Sequence, residues 1–167
     1  MSNNSCVVVC AGGQARLFTL EPAALPELES GPNLVKREEL HGSEAGEPTE
    51  ALYSDIKPGR NRAPSGASYL YDDHRERHAD EMDRRFAHDV ADHTKRLIQA
   101  QGIHDVVLVA HDQTLGNLRN AFKGMINNGT RIREVAKDLT KLNPHELHAH
   151  LAREGLIPER CQPRRTS

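Results

Sequence analysis

The segment that decides the fold is Cys6-Val7-Val8-Val9-Cys10-Ala11-Gly12-Gly13-Gln14-Ala15-Arg16-Leu17-Phe18-Thr19-Leu20. Its first part, residues 6–11, is a β-branched run typical of a strand. Residues 15–20 alternate in polarity, as a partner strand does. Gly12 and Gly13 between the two runs favour a tight turn with positive φ. The segment therefore predicts an N-terminal β-hairpin.

Beyond the hairpin, residues 34–40 predict a third strand at the edge of a sheet. Residues 41–71 are interrupted by glycines and prolines and have no apolar periodicity, which predicts a long loop. A helix is expected from Asp72 or Asp73 to Gln101, because its apolar residues recur at three- and four-residue steps. The helix and the loop together fill the middle of the chain.

The remaining elements alternate between strands and helices. Residues 105–110 (Asp-Val-Val-Leu-Val-Ala) are almost continuously apolar, as in a strand covered on both faces. Residues 115–122 predict a short helix and residues 132–136 another strand. A last helix is expected after the capping residue Asn143, ending near Gly155. Helices between strands favour right-handed crossovers, so we expect a mixed sheet with flanking helices.

The composition fits one α/β domain over residues 1–155, followed by a disordered tail over 156–167. The chain has 167 residues, with 24 acidic and 22 basic side chains and a net charge of -2. This balance excludes a protein that coats nucleic acid with a broadly basic surface, but it does not exclude a local basic patch. No apolar run approaches the length of a membrane span and residues 1–5 lack the features of a signal peptide, so we expect a cytoplasmic protein without membrane insertion. The three cysteines are expected to be free thiols.

Four blocks of sequence resemble a known family, in the family's order. The blocks are Val7–Phe18; Ser54-Asp55 with Lys57-Pro58-Gly59-Arg60; Leu108-Val109-Ala110 with Leu115-Gly116-Asn117-Leu118-Arg119; and Lys137-Asp138-Leu139-Thr140 with Leu142, Glu146, Leu147 and Leu151. The chain is similar over about residues 6–152 to the bacterial host attachment proteins, which are implicated in attachment to host cells. It departs from them at Ala11, where the family usually has an acid.

The resemblance implies a fold and two possible functions. The fold would be a ribonuclease-H-like mixed sheet, similar to the middle domain of archaeal and eukaryotic peptide-chain release factors and Pelota. One implied function is non-catalytic binding to the ribosome or to tRNA. The alternative is a factor required for attachment to host cells, directly or indirectly. Nothing in the resemblance calls for a cofactor or for DNA, and the sequence leaves the oligomeric state open.

Two positive stretches are the candidate RNA-binding sites. Residues 51–71 contain three bases and one acid, and residues 119–142 contain six bases and two acids. Arginine guanidinium groups make paired contacts with phosphates, and small residues let a loop follow the phosphate backbone. The candidate RNA-binding residues are Lys57, Gly59, Arg60, Arg62, Arg131, Arg133 and Lys137. A solvated loop and an ordinary charged surface are the alternatives for the two stretches.

A hydrolase is a further alternative, with two candidate sites. Gly12-Gly13-Gln14 is the tripeptide with which release factors hydrolyse peptidyl-tRNA, although its position here favours a plain hairpin turn. His111-Asp112 follows a strand at the end where α/β proteins often bind ligands. Histidine pairs at 74/78 and 145/148 have helical spacing but no evident third ligand, so no metal site is expected.

Overall fold

The computed structural model describes residues 4–42, 67–126 and 129–163. Within these ranges there are five strands and three helices. The elements in chain order are β1 (Ser5–Ala11), β2 (Gln14–Glu21), β3 (Asn33–His41), α1 (Ala67–Gln101), β4 (Asp105–Ala110), α2 (Asp112–Ile126), β5 (Arg131–Ala136) and α3 (Pro144–Arg153). The predicted α/β class, hairpin, mixed sheet and flanking helices are confirmed.

The strands form one sheet in the order β3-β2-β1-β4-β5. β1 is antiparallel to β2, and β2 is antiparallel to β3. β1 and β5 each pair with β4 in parallel. The chain therefore builds one side of the sheet with β2 and β3, then returns through α1 to build the other side.

Helices cover both faces of the sheet, so the molecule has three layers. One face of β1 places Cys6, Val8 and Cys10 against α1 and α2. The other face places Val7 and Val9 in a second core with α3. A strand between two apolar layers must be apolar at successive positions, which explains the unbroken run that predicted β1.

Two of the three helices described, α1 and α2, begin earlier than the sequence indicates. α1 begins at Ala67 rather than at Asp72 or Asp73. No glycine or proline follows Gly66 within this helix, so nothing in the sequence prevents the helix from beginning before the expected acidic cap. α2 begins at Asp112, directly after β4, with the Leu115 amide donating to the His111 carbonyl at 2.8 Å. The cap of α3 is as predicted, because Asn143 and Glu146 form a capping box.

Residues 156–163, where the sequence indicates the start of a disordered tail, lie against the rest of the domain. Ile157 is buried in the core that includes α3. Cys161 exchanges two backbone hydrogen bonds with Gly31, at 2.8 and 3.2 Å. We call residues 156–163 the C-terminal strap. The expected boundaries of a single domain stay a prediction.

No helix in the described parts of the chain combines the length and apolarity that crossing a membrane requires.

Candidate functional site at the carboxyl end of the sheet

The carboxyl ends of three parallel strands meet at one edge of the sheet. β1 ends at Ala11, β4 at Ala110 and β5 at Ala136. The pair Val9–Val109 sets the register, so Ala11 is level with His111 two residues further on. Between β1 and β4 the strand order changes direction, which is where open α/β sheets bind ligands. We take this carboxyl edge as the candidate functional site.

The Gly12-Gly13 turn occupies the β1 part of the carboxyl edge. Ala11 pairs with Gln14 across the turn, and Gly12 has a φ of 58°. The Gln14 side-chain amide donates to Glu39 of β3 at 2.8 Å. The tight-turn interpretation is therefore confirmed, and the glutamine side chain is held by a neighbouring strand.

The carboxylate partner of His111 is not the neighbouring Asp112 that the sequence suggests but a residue of a distant loop. The Nε2 atom of His111 lies 3.4 Å from Oδ2 of Asp138, in the loop after β5. Asp112 instead belongs to the first turn of α2, where its charge favours the positive end of the helix. The sequence placed His111 at the correct edge but could not show that Asp138 reaches it.

Asp138 is fixed by the residue two positions later. Its Oδ1 accepts from the Thr140 hydroxyl at 2.5 Å and from the Thr140 backbone N–H at 3.1 Å. These two hydrogen bonds, with a smaller contribution from His111, lower the pKa of Asp138. Asp138 is therefore an ionised carboxylate at neutral pH, in a turn that fixes its direction.

The contacts of the carboxyl edge suit binding better than hydroxyl-based catalysis. A nucleophilic threonine needs a base that accepts its proton, and that base needs a second group to orient it. Here the Thr140 hydroxyl donates to Asp138 rather than to His111. Asp138 thus links a histidine and a hydroxyl that do not contact each other through any described hydrogen bond. The edge presents ionised and hydrogen-bonding side chains to solvent.

Arg16 fixes the loop that carries Asp138, a role that the sequence analysis did not identify. Its Nη2 donates to the carbonyl oxygens of Thr140 at 2.6 Å and Leu142 at 3.1 Å. The guanidinium also lies 5.4 Å from the centroid of the Phe18 ring. The arginine therefore joins β2 to the loop after β5, more than 120 residues later in the chain.

The candidate RNA-binding residues do not form one patch in the described parts of the chain. Lys57, Gly59, Arg60 and Arg62 lie outside the described residues. Arg131 and Arg133 share the sheet face of Val135, as strand alternation predicts. Lys137 lies at the opposite end of β5, about 20 Å from Arg131 at ~3.3 Å per residue. Its amino group is bonded to Glu154.

The structure also places the histidines and thiols. In the described ranges, no group of three or more His, Cys, Asp or Glu side chains could hold a metal ion. Cys6 and Cys10 share one buried face, as their spacing predicts, and burial raises the pKa of each thiol to about 12. Thiols that remain protonated at neutral pH are poor nucleophiles and poor metal ligands.

A family model described as "protein required for attachment to host cells" matches residues 6–151. The chain belongs to this family. The match begins in β1 and ends in α3, so it covers all or most of every strand and helix described here. The family resemblance of the sequence is thereby confirmed, whereas the relation to release factors stays a prediction. A search of curated proteins finds no match.

Proposed function

We propose that this host attachment family member is required for the bacterium to attach to host cells and that it acts by binding rather than by catalysis. The match over residues 6–151 is the observation that carries the proposal. The carboxyl edge is the proposed contact surface. It combines ionised Asp138, exposed His111 and the Lys137–Glu154 pair in one place. Such a surface recognises polar groups through charge and hydrogen bonds.

The test is attachment by a bacterium that lacks the gene. We expect a deletion strain to attach less than the parent and a wild-type copy to restore attachment. A copy with Asp138→Asn should restore it poorly, because the substitution removes the charge at nearly constant shape. Arg96→Gln, an exposed change near the end of α1 that contacts Asn4 before the start of β1, is the control on the side of the sheet opposite the carboxyl edge. Normal attachment by the deletion strain would refute the proposal.

The same strains can show where the protein acts. A direct role requires the protein to be exposed at the cell surface, where an external protease would remove it. An indirect role leaves it protected inside the cell. Purified protein added to the medium should compete with wild-type cells only if the role is direct. These measurements distinguish a direct role in attachment from an indirect one, and they do not depend on any one substitution.

Ribosome or tRNA binding is the second candidate function. It is supported by the strand order β3-β2-β1-β4-β5 with β2 antiparallel, which we expect of a ribonuclease-H-like fold similar to the release-factor middle domain. The bases Lys57, Arg60 and Arg62, close together in sequence, would supply contacts to phosphates. The attachment proposal stands on a family match and this one on topology and charge.

Sedimentation with ribosomes tests the second candidate. We expect the protein to pellet with ribosomes at low salt and to be released as salt rises, because phosphate contacts displace counterions. Replacing Lys57, Arg60 and Arg62 together with alanine should abolish pelleting. The control replaces Arg84, Lys95 and Arg96, three exposed bases of α1, and should leave pelleting unchanged. Equal loss in both triple variants would indicate only general charge attraction, which contradicts a loop-specific site.

A further inference from the structure

A cavity of about 430 Å³ lies between α3 and the C-terminal strap, and its lining contains none of the residues named at the carboxyl edge. This volume is within the range of small-molecule sites, about 300–1,000 Å³. Its polar lining consists mainly of His145, His148, Arg153, Glu159 and Arg160. The family description and the proposed functions assign nothing to it.

The sequence builds this cavity from one helix face and one extended segment. His145, His148, Ala149 and Ala152 are three or four residues apart, so they share a face of α3. Gly155, with a φ of 75°, turns the chain back after the helix. The C-terminal strap is then held at Ile157 by burial and at Cys161 by its pairing with Gly31. Both walls are therefore fixed by the fold.

Two of the lining side chains carry buried nitrogen atoms without a hydrogen-bond partner. His148 is 2% exposed, and its Nε2 donates to the Pro158 carbonyl at 2.8 Å, while its Nδ1 has no partner among the described residues. Arg160 donates from Nη1 to His145 at 2.6 Å, and its Nε has no partner in the same ranges. Buried polar atoms without partners are unfavourable. Both nitrogens are closed off from solvent, so they belong to the packed back of the cavity wall, and the exposed guanidinium group of Arg153 is the lining group that a ligand can reach.

The charge of the lining selects the kind of ligand. Arg153 and Arg160 supply two guanidinium groups, and Glu159 supplies one carboxylate, so the lining is net positive before any histidine is protonated. Guanidinium groups match the geometry of carboxylate and phosphate oxygens. Ala149 and Ala152 add a small apolar wall. A ligand with an anionic head and an apolar body fits both features.

We propose that this cavity binds a small organic anion. Its carboxylate or phosphate head lies between Arg153 and Arg160, and its apolar part lies against Ala149 and Ala152. His148 forms the inner wall. This site is separate from the attachment proposal, because its lining includes none of the residues named at the carboxyl edge.

Nuclear magnetic resonance titrations of the full-length protein test the proposal. The probes are phenyl phosphate, benzoate and inorganic phosphate. We expect phenyl phosphate or benzoate to cause saturable shifts at the amides of Ala149, Ala152 and Gln162. Arg153→Gln should weaken this binding at least about tenfold, which corresponds to ~1.4 kcal/mol. Arg84→Gln, an exposed arginine of α1, should leave the affinity unchanged.

A second variant separates loss of the cavity from loss of the fold. Ala149→Leu fills the cavity from the exposed side of α3, keeps every charge and has good helix propensity. The Ala149→Leu variant should show no ligand-induced shifts, and its other amide resonances should stay dispersed, as in a folded protein. If the shifts caused by each of the three probes still fail to saturate at about 10 mM, the proposal is overturned. Equal affinity for inorganic phosphate and phenyl phosphate would overturn the assignment of an organic anion.

Discussion

At the scale of single residues, Arg16 holds the loop that carries Asp138. It donates to the carbonyl oxygens of Thr140 and Leu142 and stacks on Phe18, so one side chain joins β2 to the loop that carries Asp138. Residue type alone gave no indication of this role, because an arginine on an alternating strand is commonly exposed to solvent. Its contacts depend on residues more than 120 positions away.

We predict that Arg16→Met lowers the free energy of unfolding by about 1–3 kcal/mol, because two partly buried carbonyls lose charged donors. Urea unfolding followed by circular dichroism measures the change. Arg84→Met, at an exposed position of α1, should change it by less than about 0.5 kcal/mol. An equal effect of both substitutions would show that the contacts of Arg16 do not stabilise the fold.

His148 gives a pH dependence whose sign follows from burial. Removal from water lowers the pKa of His148 below the ordinary value of 6.5, and the nearby Arg160 and His145 add to the shift. As pH falls below about 6.5, the unfolded chain binds a proton at this histidine before the folded chain does. Stability must therefore decrease in that window and be regained as pH rises above it.

We predict that His148→Gln reduces this loss. The difference in unfolding free energy between wild type and His148→Gln should become smaller from about pH 7.5 to about pH 5.5, because only the wild type retains the titrating group. Urea titrations at several pH values measure it. Asp138, whose pKa is also lowered, affects both proteins equally and only at more acidic pH. Parallel pH profiles for the two proteins would contradict the prediction.

At the scale of elements, the β1–β2 hairpin and α2 each contain a glycine, and the two glycines have different backbone conformations. Gly12 is the turn residue with a φ of 58°, and a Cβ there would meet no atom within 4 Å. Gly116 lies inside α2, where a Cβ would also meet nothing. Any effect of adding a methyl group is therefore conformational in both places.

We predict opposite effects for the two alanine substitutions. Gly12→Ala should destabilise the protein by about 1–2 kcal/mol, because an L-residue is strained at positive φ. Gly116→Ala should stabilise it by about 0.5–1 kcal/mol, because alanine loses less backbone entropy in a helix. Thermal unfolding of both variants measures the pair. Effects of the same sign would mean that the turn or the helix differs from this description.

At the scale of the whole molecule, the three-layer arrangement isolates the two thiols of β1. Cys6 and Cys10 are 0% and 2% exposed beneath α1 and α2, whereas Cys161 is exposed on the C-terminal strap. With a pKa of about 12, each buried thiol is ionised in roughly one molecule in 10⁴ at pH 8. A reagent can therefore reach the two thiols of β1 only when the helices above them separate from the sheet.

We predict that a thiol reagent modifies one cysteine in the native protein and three in urea. Absorbance of the released thiolate gives the number of modified cysteines over time. Cys161→Ser should leave no rapidly reacting thiol in the native protein. Rapid modification of two or more cysteines without denaturant would show that the layer over β1 opens locally.

The sequence by itself determined the elements and the family. The β-branched run of β1, the apolar run of β4 and the capping box of α3 are local patterns, and each fixed its element within a residue or two. The blocks that resemble the host attachment family also predicted the family, which the match over residues 6–151 confirms. Periodicity and turn chemistry act between neighbours in sequence, so they can be read without a fold.

Only the tertiary structure decided which distant side chains meet. It paired His111 with Asp138 rather than Asp112, gave Arg16 its carbonyl partners, and closed a cavity between α3 and the C-terminal strap. These contacts depend on strand order and on where a strap crosses a helix. Such geometry arises from the packing of the whole chain, and no local pattern of residues encodes it.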